Sequence, residues 1–185
     1  MPLAAEMDRK AGDGCEGSTL AYMDESGERP HEPAGGAQFE SDAPLALQMA
    51  GLADRYVDRG RARKVALDFS DASIDTADGI GLQLYESLTR EVFGARLEER
   101  RKALAAELGA YFGETFIRNH GGHWGWVAAS GSSVFGLRTD DGLNAFPLSK
   151  ARKRLQRAEN ESLATLYGFL WRWPETVARR RSSSS

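Results

Sequence analysis

The feature that most constrains this chain is a stretch from Ala95 to Asn119 carrying two different stripes at helical spacing. On a helical wheel Leu97, Leu104, Leu108, Tyr111, Phe112, Thr115 and Phe116 make one broad apolar face. Gly109, Gly113 and Ile117 make a second row, one turn apart. Glycine weakens a helix interior, so two at this spacing imply that other backbone or side chains come close there. Such a helix must be covered on two sides, which makes it the centre of a fold. Gly121-Gly122 ends it.

The other segments supply the cover. Leu45, Met49, Leu52 and Tyr56 draw an apolar stripe on a helix that Asp42 can cap and Gly60 can stop. The Arg61-Ala62-Arg63-Lys64 run then sits at the negative end of that helix. Val65–Ser70 reads as extended. A second helix follows, with Ser70 as N-cap, Asp71 and Asp75 near its first turn, and Ile74, Ala77, Gly81, Leu84 and Leu88 facing inward. Gly79 and Gly81 predict a kink or a late start.

After Gly122 the period changes from 3.6 to 2. Trp124 and Trp126 share a strand face, Ser130-Gly131-Ser132 turns the chain, and Val134–Leu137 returns. Asp140-Asp141-Gly142 turns it again before Leu143–Phe146. Pro147 opens a helix with Leu148, Ala151 and Leu155 inward and Lys150, Arg152, Lys153, Arg154 and Arg157 around the rest. Asn160 or Ser162 caps a last helix carrying Leu163, Leu166, Tyr167 and Leu170, closed by Trp171 and Trp173. The expectation is an α+β single domain over residues 43–175, with helices packed on a small three-stranded antiparallel meander.

Charge separates the rest of the chain from this domain. Residues 1–42 hold ten acids and three bases, whereas residues 43–185 hold 17 acids and 21 bases. The first segment is rich in Gly and Pro and poor in branched aliphatics, so it predicts a disordered acidic tail. Residues 176–185, with Arg179-Arg180-Arg181 and the terminal serines, predict a frayed end. No apolar run nears the ~20 residues of a membrane span, and the N-terminus lacks the pattern of a secretory signal. A lone cysteine, Cys15, forms no internal disulfide and fits a reducing cytoplasm. It also excludes multi-cysteine zinc and iron–sulfur sites.

Three segments carry a resemblance: Leu67-Asp68-Phe69-Ser70-Asp71-Ala72-Ser73-Ile74; Leu108-Gly109-Ala110-Tyr111-Phe112-Gly113-Glu114 running on to His120-Gly121-Gly122-His123-Trp124; and Asn144-Ala145-Phe146-Pro147 through Lys153-Arg154-Leu155. Over residues 65–170 the chain resembles a family of uncharacterised actinobacterial proteins built on a domain of unknown function. The resemblance implies a small α+β domain and brings no activity with it. The chain departs from that pattern at Gly79 and Gly81.

Catalytic-type residues are few. Glu114, His120 and His123 are the only compact set, and they suggest a small enzyme or a metal-binding protein. Against that, the two histidines straddle Gly121-Gly122, and Glu114 is spaced to pair with Arg118 at i, i+4. A third role for Glu114 is a buried polar clamp on the indole N–H of Trp124 or Trp126. Ser130, Ser132 and Ser133 lack a nucleophile elbow, and Gly79-Ile80-Gly81 is no phosphate loop. Lys150, Arg152, Lys153, Arg154 and Arg157 offer anion or nucleic-acid contacts without a recognised binding signature. The two Trp-x-Trp pairs read as core or as a ligand groove. The sequence therefore leads to a non-catalytic cytoplasmic module that presents its sheet or basic helix to a protein partner. An immunity-type partner protein is one concrete form. No cofactor is expected, the enzyme is the alternative, and nucleic acid is a weaker one.

Overall fold

Phe39, flanked by Gln38, Glu40 and Ser41, starts the fold by pairing with a strand some 90 residues further along the chain, Gln38 against Ala128 and Ser41 against Gly125. The computed structural model describes residues 38–91, 93–129, 132–157 and 162–182. In order these form β1 (Gln38–Ser41), α1 (Ala43–Arg61), α2 (Ser73–Glu91), α3 (Ala95–His120), β2 (His123–Ala129), β3 (Ser132–Arg138), β4 (Asn144–Ala145), α4 (Pro147–Arg157) and α5 (Leu163–Ser182). The strands make one antiparallel sheet in the order β1-β2-β3-β4, so the fold is a single α+β domain with four strands instead of three.

The fourth strand comes from residues expected to be tail. Its local sequence is polar, and its stability lies in cross-strand pairing that no local pattern reports. Residues 1–37 lie outside the described residues. At the other end α5 continues to Ser182, past the boundary expected at residue 175.

Local chemistry sets the element ends. Asp42 caps α1, its Oδ1 accepting the Leu45 amide at 3.0 Å. Gly60 remains inside α1, which ends one residue later. Ser70 does not cap α2 through its side chain. Its carbonyl instead accepts the amide and the hydroxyl of Ser73, and the helix starts at Ser73, the late start that Gly79 and Gly81 allowed. Ser162 caps α5 through the Thr165 amide at 3.3 Å, while Asn160 falls outside the described residues.

The central helix is α3, which meets all four other helices. Its apolar face, from Leu104 through Leu108, Tyr111, Phe112 and Phe116, is buried. Its glycine row receives two neighbours. A Cβ on Gly109 would stand 2.8 Å from the Leu148 Cα, so α4 begins directly against that helix turn. A Cβ on Gly113 would overlap the indole of Trp124. Two polar ties lock the outer helices: the Tyr56 hydroxyl donates to the Ala77 carbonyl at 2.7 Å, joining α1 to α2. Arg59 grips buried Glu107 on α3 with two donors.

Among the described residues, no helix is long and apolar enough to cross a membrane.

Candidate functional site

Glu114 is buried on α3, and both of its oxygens are engaged. Oε1 accepts the Trp124 indole N–H at 2.9 Å and Oε2 the Arg118 guanidinium at 3.2 Å. The neighbouring Gly113 explains the arrangement: the bare backbone lets the Trp124 ring lie on α3, which brings its N–H to the next side chain. The other indole follows the same logic, Trp126 donating to Asp42 Oδ2 at 3.0 Å. Glu114 therefore clamps the sheet to α3, as the clamp reading of the sequence had it.

The structure does not assemble Glu114 with the histidines. Glu114 and His120 are six residues apart on one helix, and a turn of about 240° puts them on different sides of it. His120 closes α3, its Nε2 3.0 Å from Asp71 Oδ1. Its ring packs against Phe116, Tyr167 and Trp171 at centroid distances of 5.0, 5.8 and 6.1 Å. His123 begins β2, is exposed and faces Arg138 across the sheet. Among the described residues no group of three or more His, Cys, Asp or Glu side chains is gathered to hold a metal ion.

The basic helix is also partly committed. Arg154 makes a bidentate pair with Asp78 on α2, at 3.1 and 3.0 Å, and both side chains are nearly buried. Ser162 adds a hydroxyl to Asp78 Oδ2 at 3.3 Å. Arg154 is thus a bolt between α4, α2 and the start of α5, and it offers no guanidinium for a phosphate. Arg152 is exposed, Lys150 and Lys153 are half-buried, and the Arg157 side chain lies outside the described residues.

The side chains that do converge surround the loop before α2. Phe69 has φ of +59°, a left-handed conformation that costs a residue with a Cβ about 1–2 kcal/mol. Its neighbours hold it there. The Phe69 amide donates to the Tyr111 hydroxyl at 3.1 Å, and Asn119 Nδ2 donates to the Phe69 carbonyl at 2.8 Å. The ring is covered by the Arg118 guanidinium, 3.6 Å from its centroid.

The bend delivers Asp71. Its Oδ1 accepts from His120 Nε2 and Asn119 Nδ2, each at 3.0 Å, and from the Tyr167 hydroxyl. The side chain stays half exposed. One turn beyond Tyr167 on α5, Trp171 is 57% exposed beside the His120 ring. Asp71, Asn119, Phe69 and Trp171 thus form a corner that the sequence did not single out. Asp71 read as a helix-start acid, and nothing local marks Phe69 as left-handed.

Partial burial alone would push the Asp71 carboxyl up. The hydrogen bonds from Tyr167, His120 and Asn119 outweigh it and hold the group below the usual carboxylate range. Burial and the Asp71 carboxylate together raise the Tyr167 hydroxyl. A depressed folded-state pKa means that Asp71 stabilises the fold above the ordinary value of about 3.9, and that this contribution disappears as pH falls through its lower folded value. Urea unfolding of the wild type and Asp71→Asn should therefore differ above about pH 4 and converge as the pH falls below it. A gap that widens as the pH falls below about 4 would contradict this assignment.

Comparison with protein-family models, curated proteins and solved structures finds no match for the chain.

Proposed function

We propose that this domain is a non-catalytic protein-interaction module of the cytoplasm and that the Asp71 corner is its contact surface. The observation that carries the reading is Trp171, 57% exposed, standing with His120 beside an Asp71 oxygen fixed by three donors. A rigid indole supplies large contact area for little lost side-chain freedom, which is why Trp anchors so many interfaces. A carboxylate already held in place needs no ordering on binding. Backbone strain like that at Phe69 persists where the surroundings force it, and such places cluster at sites of function. The alternative chemistry loses its central group, because Glu114 serves Trp124 and Arg118. An immunity-type partner is the narrow form of the same proposal and adds only the small size of the domain.

The test is quantitative capture from a lysate of the cells that make the protein, comparing the full chain with Trp171→Ala and with Arg152→Met. A partner should be retained at least tenfold less by Trp171→Ala, about 1.4 kcal/mol of binding, and undiminished by Arg152→Met. Equal retention by the wild type and Trp171→Ala removes the corner as the contact surface.

A further inference from the structure

Asp71 is a charge without a counter-charge. Its donors are the Tyr167 hydroxyl, the Asn119 carboxamide and the His120 ring N–H, all of them on Oδ1. Beside a neutral imidazole none of these cancels the charge, and among the described residues no Lys or Arg pairs with Asp71. Oδ2 takes no part in the network, and the side chain is half exposed.

The surroundings add negative potential. Helix α3 ends at His120, which puts its negative pole beside the corner. The exposed Asp140 carboxylate lies against the next residue, Gly121, where an added Cβ would overlap it. Of the cations close by in the chain, Arg118 is engaged by Glu114 and by the Phe69 ring. Arg172 projects about 100° around α5 from Trp171.

The second element is the indole of Trp171. It meets the His120 ring at a tilt of 41° and remains mostly exposed. The face of an aromatic ring attracts cations, most strongly in Trp. An anion at this corner would be repelled by Asp71, and an apolar side chain would cover the carboxylate without answering its charge. A cation answers both groups at once.

Taking the corner as the contact surface, we infer that the partner protein docks an arginine side chain here. Its guanidinium lies on the Trp171 indole and donates an N–H to Asp71 Oδ2. The arrangement selects arginine over lysine. Trp171 and Asp71 both adjoin His120, the indole 6.1 Å from its ring centroid and the carboxylate oxygen 3.0 Å from its Nε2. A guanidinium is a plane that stacks on an aromatic face while donating from its edge, and it is weakly hydrated. An ammonium is a compact, strongly hydrated point charge that serves one group or the other. The bond to Asp71 is charge-assisted, and its acceptor is already held in place by three donors.

The experiment follows the Trp171 indole N–H resonance of the full chain, assigned by its loss in Trp171→Phe. Three probes are titrated at constant ionic strength: Nα-acetyl-arginine amide, its lysine counterpart, and its citrulline counterpart, which keeps the shape of arginine without the charge. The arginine probe should shift the signal saturably, with the lysine probe weaker by about threefold or more and the citrulline probe by about tenfold or more. Asp71→Asn should lower the arginine affinity by roughly fivefold or more. Asp75→Asn, the same loss of charge at an exposed position in the first turn of α2, should leave it nearly unchanged. No saturable shift, equal affinity for the citrulline or lysine probe, or equal effects of the two aspartate variants would overturn the proposal. Those outcomes leave the contact-surface reading standing, since its own failure shows separately as partner capture indifferent to Trp171→Ala. The three-probe comparison on the wild type decides the matter even if Asp71→Asn fails to fold.

Discussion

Gly113→Ala is expected to destabilise the domain by about 3 kcal/mol, although alanine is the better helix former. The propensity gain in a helix interior is about 1 kcal/mol. Against it, the new methyl group overlaps the indole of Trp124, which is 3% exposed and has little room to move. Overpacking of this kind costs about 1–3 kcal/mol. Displacing the ring also breaks its hydrogen bond to Glu114, leaving a buried carboxylate short of a donor, roughly another 1–3 kcal/mol. Packing wins. The matched control is Gly79→Ala on α2, where an added Cβ meets nothing within 4 Å. That substitution should stabilise by about 1 kcal/mol. Urea midpoints measure both, and Trp fluorescence reports the displaced ring. Combining Gly113→Ala with Trp124→Leu should cost less than the sum of the two single changes, since both act on one contact. A Gly113→Ala protein as stable as the wild type would mean that Trp124 does not rest on this glycine.

That contact also marks how far the sequence could be read. The two stripes on α3 are local periodicities, so its central place and the closeness at Gly109 and Gly113 were legible from spacing alone. Which elements approach is a tertiary fact: α4 takes Gly109 and Trp124 takes Gly113. The clamp role of Glu114 was visible as one of several, because spacing put indoles and a carboxylate near the same turn without choosing among them. The Asp71 corner was not legible. The donors on Asp71 come from Asn119, His120 and Tyr167, 48, 49 and 96 positions away. Phe69 is left-handed because Tyr111, Asn119 and Arg118 hold it so, and its own residue type argues the other way. The strand β1 was hidden for a similar reason, since only its partner strand makes Gln-Phe-Glu-Ser extended. The basic helix misled in the opposite sense. Its charges were plain, but the buried acid that claims Arg154 sits 76 positions earlier.

That acid makes Arg154 the second substitution of large effect. Arg154→Met should destabilise by about 3–5 kcal/mol, because it leaves the Asp78 carboxylate, 6% exposed, with only the Ser162 hydroxyl. The pair itself need not contribute that much. Burying two charges offsets most of their attraction, and the penalty arises from stranding one of them. Replacing both groups separates these possibilities. Asp78→Leu with Arg154→Met should recover most of the loss, whereas either change alone should not. An exposed pair on α1 sets the scale. Arg61 and Asp58 are 75% and 67% exposed, and Arg61→Ala should move stability by less than about 0.5 kcal/mol. A nucleic-acid role for α4 predicts a different pattern. Arg154→Met would then leave unfolding unchanged and lower a salt-dependent affinity, since each lost phosphate contact flattens the salt slope by about one unit. Unfolding and binding curves on the same two variants therefore tell a structural cation from a ligand-facing one. The geometry at Asp78 sets the expectation that the whole effect appears in the unfolding curve.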